Sequence, residues 1–311
     1  MGRVLLFRSG ALGDTLLALP ALDALRRRFP GARIVLAARP ACAAPLLDAG
    51  RADALLDAEA RPFHLLYQEP APGDALDLLL QGYDASVFFA RDLEGETARR
   101  LRALRGGNHR LAPPFPPPDE GTHTARWMER AAAPDAPPGP WPPPPLVPSP
   151  ASREKARGLL AALGVDRPLS LVLHPGSGGR GKWAPSGAMA HIARDFCGDE
   201  PPLLIQGPAD AEAVRAFEGA WGSALPALKA PPAEALGALL AEPRAYLGCD
   251  SGVSHLAALC GAPALVLMGP ASAPALWAPL GPRADWLPWE EADRGAARLR
   301  ELMGREIRQD V

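Results

Sequence analysis

The chain has 311 residues, of which 48% are hydrophobic and 22% charged, and its formal net charge at pH 7 is -2. This length suits two domains of ordinary size, and the composition is that of a folded globular protein, which excludes intrinsic disorder. A net charge this close to zero gives no overall attraction for nucleic acid, so an anionic partner has to be bound by a local patch.

The cysteines show no paired spacing and no metal-ligand spacing with the histidines, so we expect free thiols in a reducing compartment and no bound metal. Arg8 and Asp14 interrupt the apolar N-terminus within the length of a signal-peptide core, which argues against secretion. Residues 256–282 carry no charged side chain, but glycines and prolines break this run into pieces too short to span a membrane. A cytoplasmic α/β protein is predicted.

The first forty residues alternate between strand and helix. Residues 3–8 form an apolar strand candidate, and leucines at helical spacing predict a helix over 15–29. Pro20 lies inside that stretch, so we expect a kink or a late helix start. Residues 32–37 predict the next strand, and this order of elements gives a parallel sheet.

The alternation continues less clearly, with a strand predicted over 85–89 and a helix over 94–104. Because proline fixes φ and lacks an N–H, the proline-rich run at 134–150 predicts a semi-rigid extended connector, with a protein-binding segment as the alternative. We therefore divide the chain into an N-terminal domain at 1–133, a linker at 134–150 and a C-terminal domain at 151–311, whose last helix is free to pack back on the first domain.

After the connector the strand and helix pattern restarts. Helices are predicted near 152–163, 186–196, 210–221, 232–241 and 252–259, and strands over 169–174, 203–206, 244–247 and 264–268. Ligands of such α/β folds bind outside the carboxyl ends of the strands, so we expect the loops at these ends to carry the function.

The first strand-end loop of the second half reads HPGSGGRGKW. Residues 176–182 fit the first seven positions of a phosphate-binding P-loop, but the eighth is Trp183, which has no hydroxyl to hold Mg²⁺. A P-loop ATPase and a solvated glycine loop are therefore alternatives. The simpler prediction is that Ser177, Gly178 and Lys182 bind a phosphate.

A second anion-binding loop reads GCDSGVSHLAAL. Ser251 and Gly252 stand at the predicted helix start, where unpaired N–H groups and the helix dipole favour an oxyanion. His255 lies about one turn further and can reach the same pocket, although a histidine satisfied within the helix is the alternative. A bound diphosphate would repel Asp250, so we expect this carboxylate to cap the helix or bind a hydroxyl.

Further carboxylates stand at two other strand-end turns. Asp14 starts the first helix, where it can act as a cap worth about 1 kcal/mol or as a base that takes a proton from a hydroxyl. Asp210 and Glu212 follow the strand at 203–206 and can bind a ribose diol or cap the next helix. Spacing leaves these alternatives open.

The motifs are RSGALGD at 8–14 with LPAL at 19–22, HPGS at 174–177 with KW at 182–183, GPAD at 207–210, and DSG at 250–252 with HLA at 255–257 and GP at 269–270. In this order, over nearly the whole chain, they resemble glycosyltransferase family 9, the ADP-heptose:lipopolysaccharide heptosyltransferases. Val253 and Ser254 replace the Pro-Met often seen in the last loop of that family.

The resemblance implies a GT-B architecture, in which two Rossmann-like domains with parallel sheets face a central cleft. It implies an inverting transfer, without metal or other cofactor, of a sugar such as heptose from ADP-heptose to a hydroxyl of a cell-envelope glycolipid or glycan. We expect a cytoplasmic enzyme that contacts the inner face of the membrane and binds no nucleic acid. The alternatives are a nucleotide-sugar epimerase of the same fold and a non-catalytic nucleotide-binding module.

Carried over by residue, Asp14 matches the catalytic base, and Lys182 stabilises the leaving diphosphate in place of a metal ion. Gly10, beside Asp14, belongs to the predicted acceptor site. The predicted donor site comprises Ser177, Gly178, Lys182, Asp210, Glu212, Asp250, Ser251, Gly252 and His255.

A basic stretch predicts how an anionic acceptor is bound. Arg99, Arg102 and Arg105 recur every three residues in the predicted helix at 94–104 and just beyond it, and therefore share a face. An anionic lipid-linked sugar or a membrane surface would suit Arg99 and Arg102, and a merely solvated basic face is the alternative.

Overall fold

The structure, a computed structural model, describes residues 2–60, 63, 80–90, 95, 108–117 and 119–306. These residues belong to two units, Met1–Pro140 and Trp141–Val311, whose boundary falls inside the proline-rich run at 134–150. Arg99, Arg102 and the predicted helix at 94–104 lie outside the described residues, apart from Gly95.

The first unit contains a parallel five-stranded sheet in the order β3-β2-β1-β4-β5. Its strands are β1 Arg3–Phe7, β2 Arg33–Ala38, β3 Ala54–Asp57, β4 Ala85–Phe89 and β5 Asn108–Ala112, and its described helices are α1 Leu12–Leu16, α2 Leu19–Arg28, α3 Pro40–Asp48 and α4 Thr124–Ala132.

The predicted strands β1, β2 and β4 are confirmed, whereas β3 and β5 were not predicted. The predicted helix over 15–29 is two helices, and Pro20 stands in the first turn of the second, where its missing N–H costs nothing. One face of the sheet is aromatic, because the ring of Phe7 packs between those of Phe63 and Phe88 at centroid distances of 5.3 and 5.2 Å.

The second unit contains a parallel six-stranded sheet in the order β11-β10-β9-β6-β7-β8. Its strands are β6 Leu171–His174, β7 Leu203–Gln206, β8 Ala227–Lys229, β9 Ala245–Cys249, β10 Ala264–Met268 and β11 Ala284–Pro288. Counted from β6, this is the 3-2-1-4-5-6 order of dinucleotide-binding folds, in which ligands bind where the order reverses, here between β6 and β9.

The helices of this unit are α5 Pro150–Ala162, α6 Ser186–Cys197, α7 Ala211–Trp221, α8 Ala233–Leu240, α9 Gly252–Leu259, α10 Pro274–Trp277 and α11 Gly295–Met303. The last of these, α11, packs on the core of its own unit, where Leu299 and Leu302 are fully buried beside Ile192 of α6. Within the described part of the chain, every helix is too short or too polar to cross a bilayer.

Candidate functional site

His174 connects three loops at the carboxyl edge of the second sheet. It is the last residue of β6 and is 3% exposed. Its Nε2 lies 2.9 Å from Oδ2 of Asp210, in the turn after β7, and its Nδ1 lies 3.1 Å from Oγ of Ser251, after β9. Because an ionised carboxylate can only accept, the Nε2–H donates to Asp210. The sequence motif contained His174, but no function was predicted for it.

The carboxylate of Asp210 faces the protein. The backbone N–H of Gly207 donates to its Oδ2 at 2.7 Å, and a Cβ at Gly176 would overlap its side chain. Burial disfavours the charge, but hydrogen bonds from His174 and Gly207 outweigh this effect and hold the pKa of Asp210 below its ordinary value. Asp210 stands at the N-cap position of helix α7, as the capping alternative expects, but among the described residues its side chain accepts no bond from that helix.

Ser251 is the N-cap of helix α9. Its Oγ accepts the N–H of Ser254 at 3.3 Å, so the predicted helix start is confirmed. Of the two alternatives for Asp250, the helix cap is wrong, and binding of a hydroxyl stays a prediction. The first N–H groups of the helix, those of Gly252 and Val253, have no carbonyl one turn earlier in the helix to bond. An anion placed before α9 would find these donors together with the positive end of the helix dipole.

Asp250 instead forms an ion pair with Lys182. Oδ2 of Asp250 lies 2.9 Å from Nζ of Lys182, and the carboxylate side chain is 5% exposed whereas the lysine side chain is 37% exposed. The lysine ends a short 3-10 turn, Arg180–Lys182, and α6 begins only at Ser186. The P-loop alternative is therefore wrong, because a P-loop leads directly into its helix.

Ser177 supports the loop that carries Asp250. Its hydroxyl donates to the backbone carbonyl of Asp250 at 2.5 Å, and the residue is buried. Its own carbonyl accepts the indole N–H of Trp183 at 3.2 Å. Gly178 is exposed, and the described residues leave open space beside its Cα. The loop thus connects the end of β6 to the loop after β9.

A neutral layer lies beneath these charges. The hydroxyl of Ser254 donates to the carbonyl of Cys249 at 2.5 Å, so its oxygen accepts the O–H of Tyr246 at 2.9 Å. Burial raises the pKa of the Cys249 thiol to about 12 and raises the pKa of the Tyr246 phenol as well. Both groups are therefore uncharged at neutral pH.

The remaining two residues of the predicted donor site differ in exposure. His255 is 6% exposed in α9, and its backbone N–H donates to the backbone carbonyl of Ser251 at 3.2 Å. Glu212 pairs with Arg180, and both side chains are more than half exposed. His255 therefore belongs to the buried helix start, whereas Glu212 belongs to the solvent edge.

Asp14 forms a separate cluster after β1 in the first unit. Its Oδ2 accepts the N–H of Ala11 at 3.1 Å, and its Oδ1 accepts Nη2 of Arg8 at 3.1 Å. Arg8 is 4% exposed and its guanidinium lies over the ring of Phe115. A Cβ on Gly10 would lie 2.7 Å from the Cβ of Asp14, so the close approach requires glycine.

The predicted N-cap role of Asp14 is wrong, because helix α1 begins at Leu12 with Ala11 as its N-cap; Asp14 stands in the first turn and accepts the backbone N–H of Ala11. This bond does not use the whole carboxylate. An ionised carboxylate offers about four lone-pair positions, and the described hydrogen bonds occupy two of them. The side chain is 28% exposed. A hydroxyl group can therefore still bind to Asp14, and its role as a base stays a prediction.

No protein-family model matches the sequence, and none of the curated proteins matches it. Solved structures match over almost the whole chain. The E. coli ADP-heptose LPS heptosyltransferase II is 19% identical with a TM-score of 0.73, and the alignment covers 97% of this chain and 98% of that chain. A glycosyl transferase family 9 protein from Veillonella parvula is 17% identical with a TM-score of 0.73, covering 99% and 90%.

A third solved structure is the E. coli heptosyltransferase WaaC with ADP, which is 18% identical with a TM-score of 0.63 and coverages of 97% and 98%. The same enzyme has also been solved with ADP-2-deoxy-2-fluoro heptose. At this level of identity the likeness shows the fold. The predicted fold is confirmed: the chain has the two parallel, Rossmann-like α/β sheets of GT-B glycosyltransferases and resembles the ADP-heptose heptosyltransferases.

Proposed function

We propose that this chain is an inverting glycosyltransferase that transfers a sugar, heptose from ADP-heptose, to a hydroxyl of a cell-envelope glycolipid or glycan. The observation that carries the proposal is the cluster of anion-binding groups where the strand order of the second sheet reverses. There the N-terminus of α9 and the ammonium of Lys182 meet at the loops after β6 and β9. A diphosphate carries the negative charge that such a cluster recognises.

The chemistry requires a base, a nucleophile and a stabilised leaving group. Asp14 takes the proton of the acceptor hydroxyl, whose oxygen attacks the anomeric carbon of the donor from the side opposite the diphosphate. The bond between that carbon and the phosphate oxygen breaks, and its electron pair leaves with the nucleoside diphosphate. Direct displacement of this kind inverts the configuration at the anomeric carbon.

Lys182 and the first amides of α9 stabilise the negative charge that develops on the leaving diphosphate. These groups are cationic or carry the positive end of a dipole, and they are fixed before the reaction, so no metal ion is needed to spread the charge. Ser177 acts through its bond to the Asp250 carbonyl, while Gly178, an exposed residue of the same loop, extends the anion-binding surface. We assign the donor side to these residues.

The acceptor side of the proposal rests on Asp14 and Gly10, with Arg99 and Arg102 binding the anionic groups of the acceptor. A glycolipid acceptor would bring the enzyme to the inner face of the membrane. Replacing Arg99 and Arg102 together by Gln should raise the KM for an anionic acceptor and leave the affinity for ADP unchanged. An unchanged KM would indicate that the basic stretch is only a solvated face and does not bind the acceptor.

The experiment that tests the proposal separates three classes of protein. Thermal unfolding is followed with ADP, UDP, GDP and ADP-heptose, and the donor is then incubated with and without a deacylated lipopolysaccharide core. Selective stabilisation by ADP compounds, with ADP release only when acceptor is present, supports the transferase. An isomerised donor without acceptor indicates an epimerase, and binding without consumption indicates a nucleotide-binding module.

A further inference from the structure

The hydrogen bonds of His174 join Asp210 to the start of helix α9. The Nε2–H is given to Asp210, and the other ring nitrogen, Nδ1, lies 3.1 Å from the hydroxyl oxygen of Ser251. The Ser251 oxygen in turn accepts the N–H of Ser254. The rotamer of the N-cap is therefore fixed from both sides.

Burial makes this arrangement costly to change. His174 is 3% exposed, Asp210 is 6% exposed and Ser254 is 2% exposed. Polar groups at this depth cannot exchange their partners for bulk water, so a donor or acceptor that loses its partner destabilises the fold. The imidazole thus joins the turns after β7 and β9 to the end of β6.

We propose that His174 is a positioning residue for the diphosphate: through Ser251 it fixes the N-cap geometry that directs the amides of Gly252 and Val253 at the ligand. This inference rests on the proposed function, because the nucleoside diphosphate is the ligand. His174 itself is buried behind the loop and acts only through Ser251. Its second bond, to Asp210, stabilises the fold.

The two ring nitrogens can be tested separately. The side-chain amide of Asn occupies the δ position of Nδ1 and can bond the Ser251 hydroxyl, but Asn has no atom that reaches Asp210. The amide nitrogen of Gln occupies the ε position of Nε2 and can donate to Asp210, but Gln has no polar atom at the δ position. His174→Asn therefore keeps the bond to the N-cap, and His174→Gln keeps the bond to the carboxylate.

The experiment measures ADP affinity by calorimetry and stability by urea unfolding for the wild-type chain and both variants. We expect His174→Gln to weaken ADP binding about tenfold while it remains the more stable variant, and His174→Asn to bind within about twofold of wild type while it unfolds at lower urea. His191→Gln, at an exposed position of α6, is the matched control and should change neither quantity. Ser251→Ala should weaken ADP binding as His174→Gln does. The double variant Ser251→Ala with His174→Gln should bind ADP no more weakly than either single variant.

A purely structural role for His174 predicts a different pattern, in which the ADP affinities of the two variants follow their stabilities. That pattern, or unchanged affinity in His174→Gln, would overturn the inference and leave the proposed function intact. If the folded wild-type chain bound no nucleoside diphosphate, the proposed function would fail first and this inference with it.

Discussion

The ammonium nitrogen of Lys182 lies 2.9 Å from Oδ2 of Asp250, so a cation at the surface neutralises an almost fully buried anion. A buried carboxylate cannot be stabilised by bulk water, and removal of its partner leaves an uncompensated charge. Lys182 therefore stabilises the folded loop as well as the proposed leaving group. Loss of Lys182 should affect both folding and binding, and these two effects can be separated.

Lys182→Met should lower the free energy of unfolding by roughly 3 kcal/mol, the lower end of the range for breaking a buried pair, because the lysine is partly exposed. It should also weaken ADP binding by at least about tenfold, since a charge-assisted contact to the diphosphate is lost. Urea unfolding and calorimetry measure the two effects.

The double variant Lys182→Met with Asp250→Asn is the control for this prediction. Removing the buried charge should restore most of the stability, because no unpaired ion remains, but it should not restore ADP affinity. Recovery of both quantities together would show that Lys182 only balances Asp250 and does not bind the ligand.

Asp14→Asn should reduce transfer by about 10²–10⁴-fold, the usual contribution of a general base, while the affinity for ADP stays unchanged. The amide oxygen of Asn can still accept the N–H of Ala11, so the helix start is retained. The buried Arg8 loses its counter-ion, and some loss of stability is therefore expected. Turnover is measured by ADP release at saturating donor and acceptor.

Asp166→Asn, at an exposed position of the second unit, is the control for Asp14→Asn and should match wild type. If Asp14→Asn kept near-normal turnover at a temperature where it is folded, Asp14 would only stabilise the helix start and would not be the base. A matching fall in ADP affinity would instead point to a disturbed fold.

The sequence predicted the strand-end loops because apolar runs of strand length end at turns rich in glycine and proline, as before Ser177 and Asp250. It did not predict that His174 lies beside Ser251, since that contact depends on the order of the strands and on the pairing of His174 with Gly248. A histidine at the end of an apolar strand, directly before Pro-Gly, is the local signal that was available. The unpredicted strands β8 and β11 are short or mixed in polarity.

The pKa of Asp210 predicts how stability changes in acid. Hydrogen bonds hold this pKa below its ordinary value of 3.8 in the folded chain, so the carboxylate stabilises the fold above pH 3.8 and loses this contribution as pH falls through the lower, folded-state value. The difference in unfolding free energy between wild type and Asp210→Asn should shrink below about pH 4. The contributions of the other carboxylates cancel in this difference. A difference that stayed the same down to pH 3 would contradict the lowered pKa of Asp210.

Gly176→Ala tests the close packing on the Asp210 carboxylate. The new Cβ would overlap that side chain, which His174 and Gly207 hold in place, so the turn or the carboxylate has to move. We expect a loss of about 1–3 kcal/mol in the free energy of unfolding and weaker ADP binding. In the same loop, Gly179 has a φ of -143°, which any residue adopts, and the described residues leave its Cβ position open. Gly179→Ala should therefore have the same urea midpoint of unfolding as the wild-type chain. Equal losses of stability in both variants would mean that the loop needs flexibility and not the close approach to Asp210.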